Sequence, residues 1–178
     1  MQYPGDLLEN LWQARDMFAE GKRSEAITQL ENLILLDPEF LEAYQLLGFA
    51  LSGNLTEHYV EVMACIHALG GHVRASISLP AWSGKLLETR EAIDKKDVDE
   101  SMQLISQVLG LGVKLPLIDV THLRASALSQ DKVTIKQLAE VYYSRWQNGL
   151  QFMLFMADAK LEMGDETGAI EMLHKCAS

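Results

Sequence analysis

From Gly21 to Pro38 the chain reads GKRSEAITQLENLILLDP, and versions of this stretch return along the sequence at a nearly constant stride. Gly21 opens a turn. Ala26, Leu30 and Leu33 then follow at helical spacing and share one face. Pro38 stops the helix, because it has no N–H to donate and its ring clashes with the preceding turn. The segment before it, Leu7 to Glu20, reads as another helix, with Ala14 facing the helix that follows. Two helices, a tight turn and a proline stop make a helix hairpin.

The hairpin recurs. Tyr44, Leu47, Gly48 and Leu51 in LEAYQLLGFAL open a second copy, with Val60 and Ala64 on its second helix. Ser101, Ile105 and Val108 belong to a third copy, and Ile135, Ala139 and Tyr142 to a fourth. Ala157, Gly164, Ala169, Leu173 and Cys176 mark a fifth. These residues resemble the tetratricopeptide repeat, a helix hairpin with a period of about 34 residues. Units then start near residues 7, 41, 82, 116 and 150, with one longer step between the second and third. The resemblance spans nearly the whole of residues 1–178 as a single repeat domain. It implies an all-α fold, a right-handed α-solenoid of about five hairpins, each burying its apolar faces only by stacking on its neighbours.

Local signals place the helix ends. Asp6 is expected to cap the first helix and Ser24 the second. Ser52-Gly53-Asn54 ends the third and Thr56 caps the fourth. Gly70-Gly71 stops that helix, and residues 71–80 form the extra length as a loop closing at Pro80, a first-turn residue for the next helix. That helix covers Ala81 to Asp94, with Asp99 as the cap of its partner. Gly110, Gly112 and Pro116 separate units three and four. Helices are expected over about Ile118 to Leu128 and Asp131 to Trp146, with a stop at Asn148-Gly149 and the last turn at Gly164-Asp165. The final helix carries Ile170, Met172, Leu173 and Cys176. Its apolar side either packs inward or stacks on another chain.

A chain of 178 residues can bury roughly 70% of its unfolded surface and needs no disulfide or metal to hold it. Cys65 and Cys176 stand in no metal or redox spacing and read as small buried residues. The net charge of −10 repels phosphate backbones and argues against nucleic acid as a ligand. MQYPGD does not read as a signal peptide, and no apolar run reaches the ~18 residues of a membrane span. The expectation is a cytoplasmic, reduced protein with no membrane insertion.

No catalytic motif stands out, and no cofactor is expected. His58, Glu61 and Cys65 share one helical face by spacing, which as a ligand set is weaker than the reading of a solvated or core face; no metal is expected. Phe152, Met153, Phe155 and Met156 read as core, with Tyr142, Tyr143 and Trp146 packed against them; the less favoured alternative is a subunit contact.

In the tetratricopeptide family the first helices of the hairpins line a concave groove that holds a peptide. The resemblance places Leu11, Arg15 and Phe18 there in unit one, and Gln45 and Phe49 in unit two. It places Leu86, Arg90 and Ile93 there in unit three, Val120, Arg124 and Ala127 in unit four, and Leu154, Asp158 and Leu161 in unit five. Arg15, Arg90 and Arg124 fall at one repeat position, so the expected ligand is an acidic and apolar segment gripped by planar guanidinium forks. The family's clamp for chaperone C-termini needs polar or basic groups where Leu11 and Phe49 stand, so that activity is not carried over. The expected function is a non-enzymatic protein-interaction module, a scaffold or adaptor. The alternatives are a small acidic secretion-type chaperone, self-association through the C-terminal repeat, and a metal- or ligand-binding enzyme domain.

Overall fold

The computed structural model describes residues 4–53, 55–147 and 149–176, and these contain ten α-helices and no strand. They are α1 (Pro4–Ala19), α2 (Arg23–Leu36), α3 (Leu41–Leu51), α4 (Glu57–Ala68), α5 (Ala81–Asp94), α6 (Val98–Leu109), α7 (Pro116–Leu128), α8 (Lys132–Arg145), α9 (Leu150–Glu162) and α10 (Glu166–Cys176). The fold is all-α. The first helices of units two, four and five begin at the residues the spacing selects, and α5 spans Ala81–Asp94, the range its local signals give. The expected cap Asp6 and the turn residues Asn54 and Asn148 lie outside the described side chains.

Local chemistry explains most boundaries. Pro38 drives Asp37 out of the helical region, to φ −132° and ψ 94°, so α2 ends at Leu36. The Thr56 hydroxyl accepts the Tyr59 N–H at 3.1 Å and caps α4. Thr56→Ala should therefore cost about 1 kcal/mol in thermal or urea unfolding, and Thr56→Ser should restore most of it. Gly70 closes α4 at φ +79°, while the Gly71 N–H reaches back to the Ile66 carbonyl at 2.8 Å. Pro116 opens α7 in its first turn, at the unit start the spacing selects and two residues before Ile118, where the helix itself was expected to begin, because its fixed φ suits a helix N-terminus.

Two caps and one first-turn residue differ from expectation. Ser24 lies inside α2, and Lys22 precedes that helix without a side-chain cap. Asp97 rather than Asp99 caps α6, accepting the Glu100 N–H at 3.0 Å. Pro80 stands just before α5 rather than in its first turn. The 71–80 segment is a loop, as read from the sequence.

Each helix packs on the next, and α1, α5 and α7 also touch α3, α7 and α9 respectively. One continuous apolar core draws on all ten helices. Ala14, Thr89, Leu123 and Ala157 stand at one repeat position and are at most 1% exposed, and Gly48, their equivalent in unit two, is buried too. Leu30, Ala64, Ile105 and Ala139 do the same on the second helices. Full burial of a leucine or isoleucine is worth about 1.5–3 kcal/mol relative to leaving it exposed. Leu173, the fifth member of that second set, is 42% exposed, and Ile170 beside it is exposed as well. The inward side of α10 is carried by Ala169 and Met172.

The array also closes across itself. The end of α2 meets α9, joining the first hairpin to the fifth. Gly149 permits this approach: a Cβ there would stand 3.1 Å from the Leu35 carbonyl oxygen.

Candidate partner-binding surface

The corner between α2 and α3 is built by three residues. Asp37 is extended because Pro38 follows it. The Asp37 carboxylate accepts the Glu39 N–H at 3.0 Å and the Gln151 side-chain amide at 2.7 Å. Glu39 is thereby aimed across the inner side of α5 and α7. Arg90 Nη1 donates to Glu39 Oε1 at 2.6 Å. Arg124 donates to Glu39 Oε2 from Nε at 2.9 Å and also from Nη2. The Glu39 side chain is only 14% exposed. Burial pushes its carboxyl up, but the hydrogen bonds and charges of Arg90 and Arg124 outweigh this and hold it below its ordinary range. Asp37 lies above its ordinary range, since burial there exceeds the help from its donors.

This arrangement corrects the predicted groove. Arg90 and Arg124 lie together on the inner side, but they already grip a carboxylate of their own chain. Leu86 and Val120 are completely buried beneath them and offer no surface. Arg15 is exposed and pairs with its neighbour Asp16 at 3.3 Å, away from the other two arginines' shared partner. Leu11 is half-buried against the core and Gln45 is exposed. Phe18 meets Phe49 edge-on at 5.4 Å, with Phe49 62% exposed. Leu8 and Trp12 are also exposed on α1.

Three concavities that share lining residues lie beside this cluster. Arg90, Ile93 and Asp94 line one with Glu39 and Arg124. Arg124 continues into a cavity of about 340 Å³ with Leu7, Leu36, Leu154 and Phe155. Phe155 and Asp158 carry on into a third of about 350 Å³, with Ala127 and Ile135. The channel thus crosses α5, α7 and α9 at repeat positions the sequence selected, with Leu7 and the α2–α3 corner as its far wall.

Sequence reasoning missed the buried group that sets α7 against α8. Asp119 is 1% exposed and accepts Arg145 Nη1 at 2.5 Å and Trp146 Nε1 at 2.7 Å. Its carboxyl is pushed up by burial, against the pull of Trp146 and Arg145. Arg145 also lies 5.3 Å from the centre of the Tyr142 ring, whose hydroxyl is 2.6 Å from His122 Nδ1. Burial holds His122 below its ordinary value and raises Tyr142 to about 12, so both are neutral near pH 7. An acid inside the apolar run PLIDVTHL was the available signal for this site. Glu39 gave none, because its partners lie far along the chain.

The remaining candidates are placed as follows. Phe152 and Met156 are core, Met153 and Phe155 pack on it, and Trp146 stacks on Phe152 at 6.4 Å. Cys65 is buried, with its thiol pushed up by burial, and Cys176 is half-buried. His58 stands 3.6 Å from Glu31. No group of three His, Cys, Asp or Glu side chains is placed to hold a metal among the described residues, so His58, Glu61 and Cys65 do not form the ligand set their spacing allowed. No described helix is long and apolar enough to cross a membrane.

Comparison with known proteins finds no matching family model, no matching curated protein and no matching solved structure. The likeness to tetratricopeptide repeats therefore remains a reading of the residue spacing alone.

Proposed function

We propose that this chain is a protein-interaction module of the helix-repeat type, a curved array of five hairpins whose inner channel holds a segment of another polypeptide. The observation that carries this is the channel itself: adjoining concavities that cross three first helices and are lined by the exposed Leu154 and the half-buried Ile93 and Phe155 among polar groups. The third, fourth and fifth hairpins build it from matching positions on their first helices, Arg90, Arg124 and Asp158. A single segment bound there would have a Kd of about micromolar, about −8 kcal/mol. No chemical step belongs to this role.

Leu154 is 41% exposed and faces the channel, so Leu154→Asp changes the surface without opening the core. A partner that co-purifies with the wild type should be lost with Leu154→Asp, at unchanged helicity by circular dichroism. Leu111→Asp, at an exposed position outside the channel, should keep it. Undiminished recovery with Leu154→Asp would remove the channel from the reading.

A second reading, a small acidic chaperone that holds an aggregation-prone client, is favoured by the exposed Leu8, Trp12 and Phe49 on α1 and α3. It predicts suppression of client aggregation that Trp12→Ser with Phe49→Ser abolishes and Leu154→Asp does not. Self-association through Ile170 and Leu173 on α10 is separable from both by light scattering of an Ile170→Asp variant.

A further inference from the structure

The charge of the channel decides which segments it can accept. Its three concavities carry five carboxylates, from Asp37, Glu39, Asp94, Asp158 and Glu162, against three cations, Arg90, Arg124 and Lys132. Both arginines are committed to Glu39. Lys132 stands 3.7 Å from Glu162. Asp94 and Asp158 are exposed and have no ion pair or hydrogen bond among the described side chains. Asp94 lies beside Ile93 in one concavity and Asp158 beside Ala127, Leu154 and Phe155 in the other two, with Arg124 at the junction.

An acidic ligand entering here would meet unpaired carboxylates and would have to displace Glu39 from two guanidinium groups. A ligand with lysine or arginine would meet Asp94 and Asp158 directly and leave the Glu39 cluster intact. The far wall shows the complementary pairing already made within the chain, since the corner at Leu36, Asp37 and Glu39 brings apolar side chains and carboxylates to the arginine side. Resting on the channel reading above, we propose that the channel docks an amphipathic segment of a partner protein that is apolar on one side and basic on the other. Opposite charges placed across an interface favour the right partner, and like charges reject the wrong one.

The test uses two synthetic amphipathic helices with the same leucine and phenylalanine face, one bearing lysines and the other glutamates on the polar face. Binding is followed by fluorescence anisotropy at physiological ionic strength, with the full chain. The lysine peptide should bind at least about tenfold more tightly than the glutamate peptide. Asp94→Lys with Asp158→Lys should weaken the lysine peptide by about tenfold or more. Glu9→Lys with Glu100→Lys changes the net charge equally, at exposed positions outside the channel, and should leave binding within about twofold. Equal binding of the two peptides, both lost with Leu154→Asp, would overturn the charge preference and leave the channel as a docking site. Equal weakening by the two double variants would overturn it as general attraction to an acidic protein. Failure of both peptides to bind would overturn the preference and the channel together.

Discussion

Glu39→Ala should lower the stability of the protein by about 2–3 kcal/mol, which for a chain of this size lowers Tm by about 5–10 °C. The magnitude follows from what is left behind. Removing one partner of a fully buried ion pair costs about 3–5 kcal/mol, because the remaining charge is stranded. Arg90 would keep a side chain only 24% exposed, while Arg124, at 42%, can turn toward water, so the cost falls below that range. Glu39→Gln should cost less, since an amide oxygen still accepts from one arginine. A loss under about 0.5 kcal/mol would mean that the cluster does not hold the α2–α3 corner in place.

The same cluster sets a pH dependence. Glu39 has a depressed folded pKa, so its contribution is complete above its ordinary value of 4.5 and is lost as pH falls through the folded value. Asp37 and Asp119 have the opposite sign. Their raised values mean that stability present at acid pH is lost as pH rises through them. The difference between wild type and Glu39→Ala carries the first effect, together with the part of the Asp37 shift that the Glu39 charge causes. It should shrink steadily as urea unfolding is repeated at pH values below 4.5.

Phe152→Ala should be more damaging, at about 3–5 kcal/mol. Phe152 is the largest of the completely buried side chains and stacks on Trp146. It sits beside Gly149, against the seam where α9 meets the end of α2, so an alanine leaves a cavity between the first and last hairpins rather than at a yielding edge. Urea unfolding should show the loss as a shift in midpoint. Phe152→Leu, which keeps most of the volume, should recover more than half of it. If Phe152→Ala costs under about 1 kcal/mol, the seam is not a packed part of the core.

How much of this was legible differs from residue to residue. Ala26, Leu30 and Leu33 announce a buried helical face because helix geometry repeats within a few residues. Pro38 and Thr56 act on their own or adjacent backbone, so they mark ends wherever they occur. The misplaced caps at Ser24 and Asp99 show the reach of that reasoning. Each lies within two residues of the true boundary, and local chemistry alone does not select among neighbouring polar residues. The candidate channel was half legible. The repeat spacing brought Arg90, Arg124, Leu154 and Asp158 to one side, and it also nominated Leu86 and Val120, which the core absorbs completely.

The sequence by itself determined the ten helices, their approximate ends and the stride at which they pair, because periodicity, capping and proline stops act over distances of a few residues. Only the tertiary structure decided that the array closes, that Glu39 joins α5 to α7, and that the open charge of the channel is acidic. Those outcomes depend on residues 51, 85 and 114 positions apart meeting in space. No local period carries such a separation, and the balance of desolvation against pairing that fixes the charge of the channel exists only once those groups are brought together.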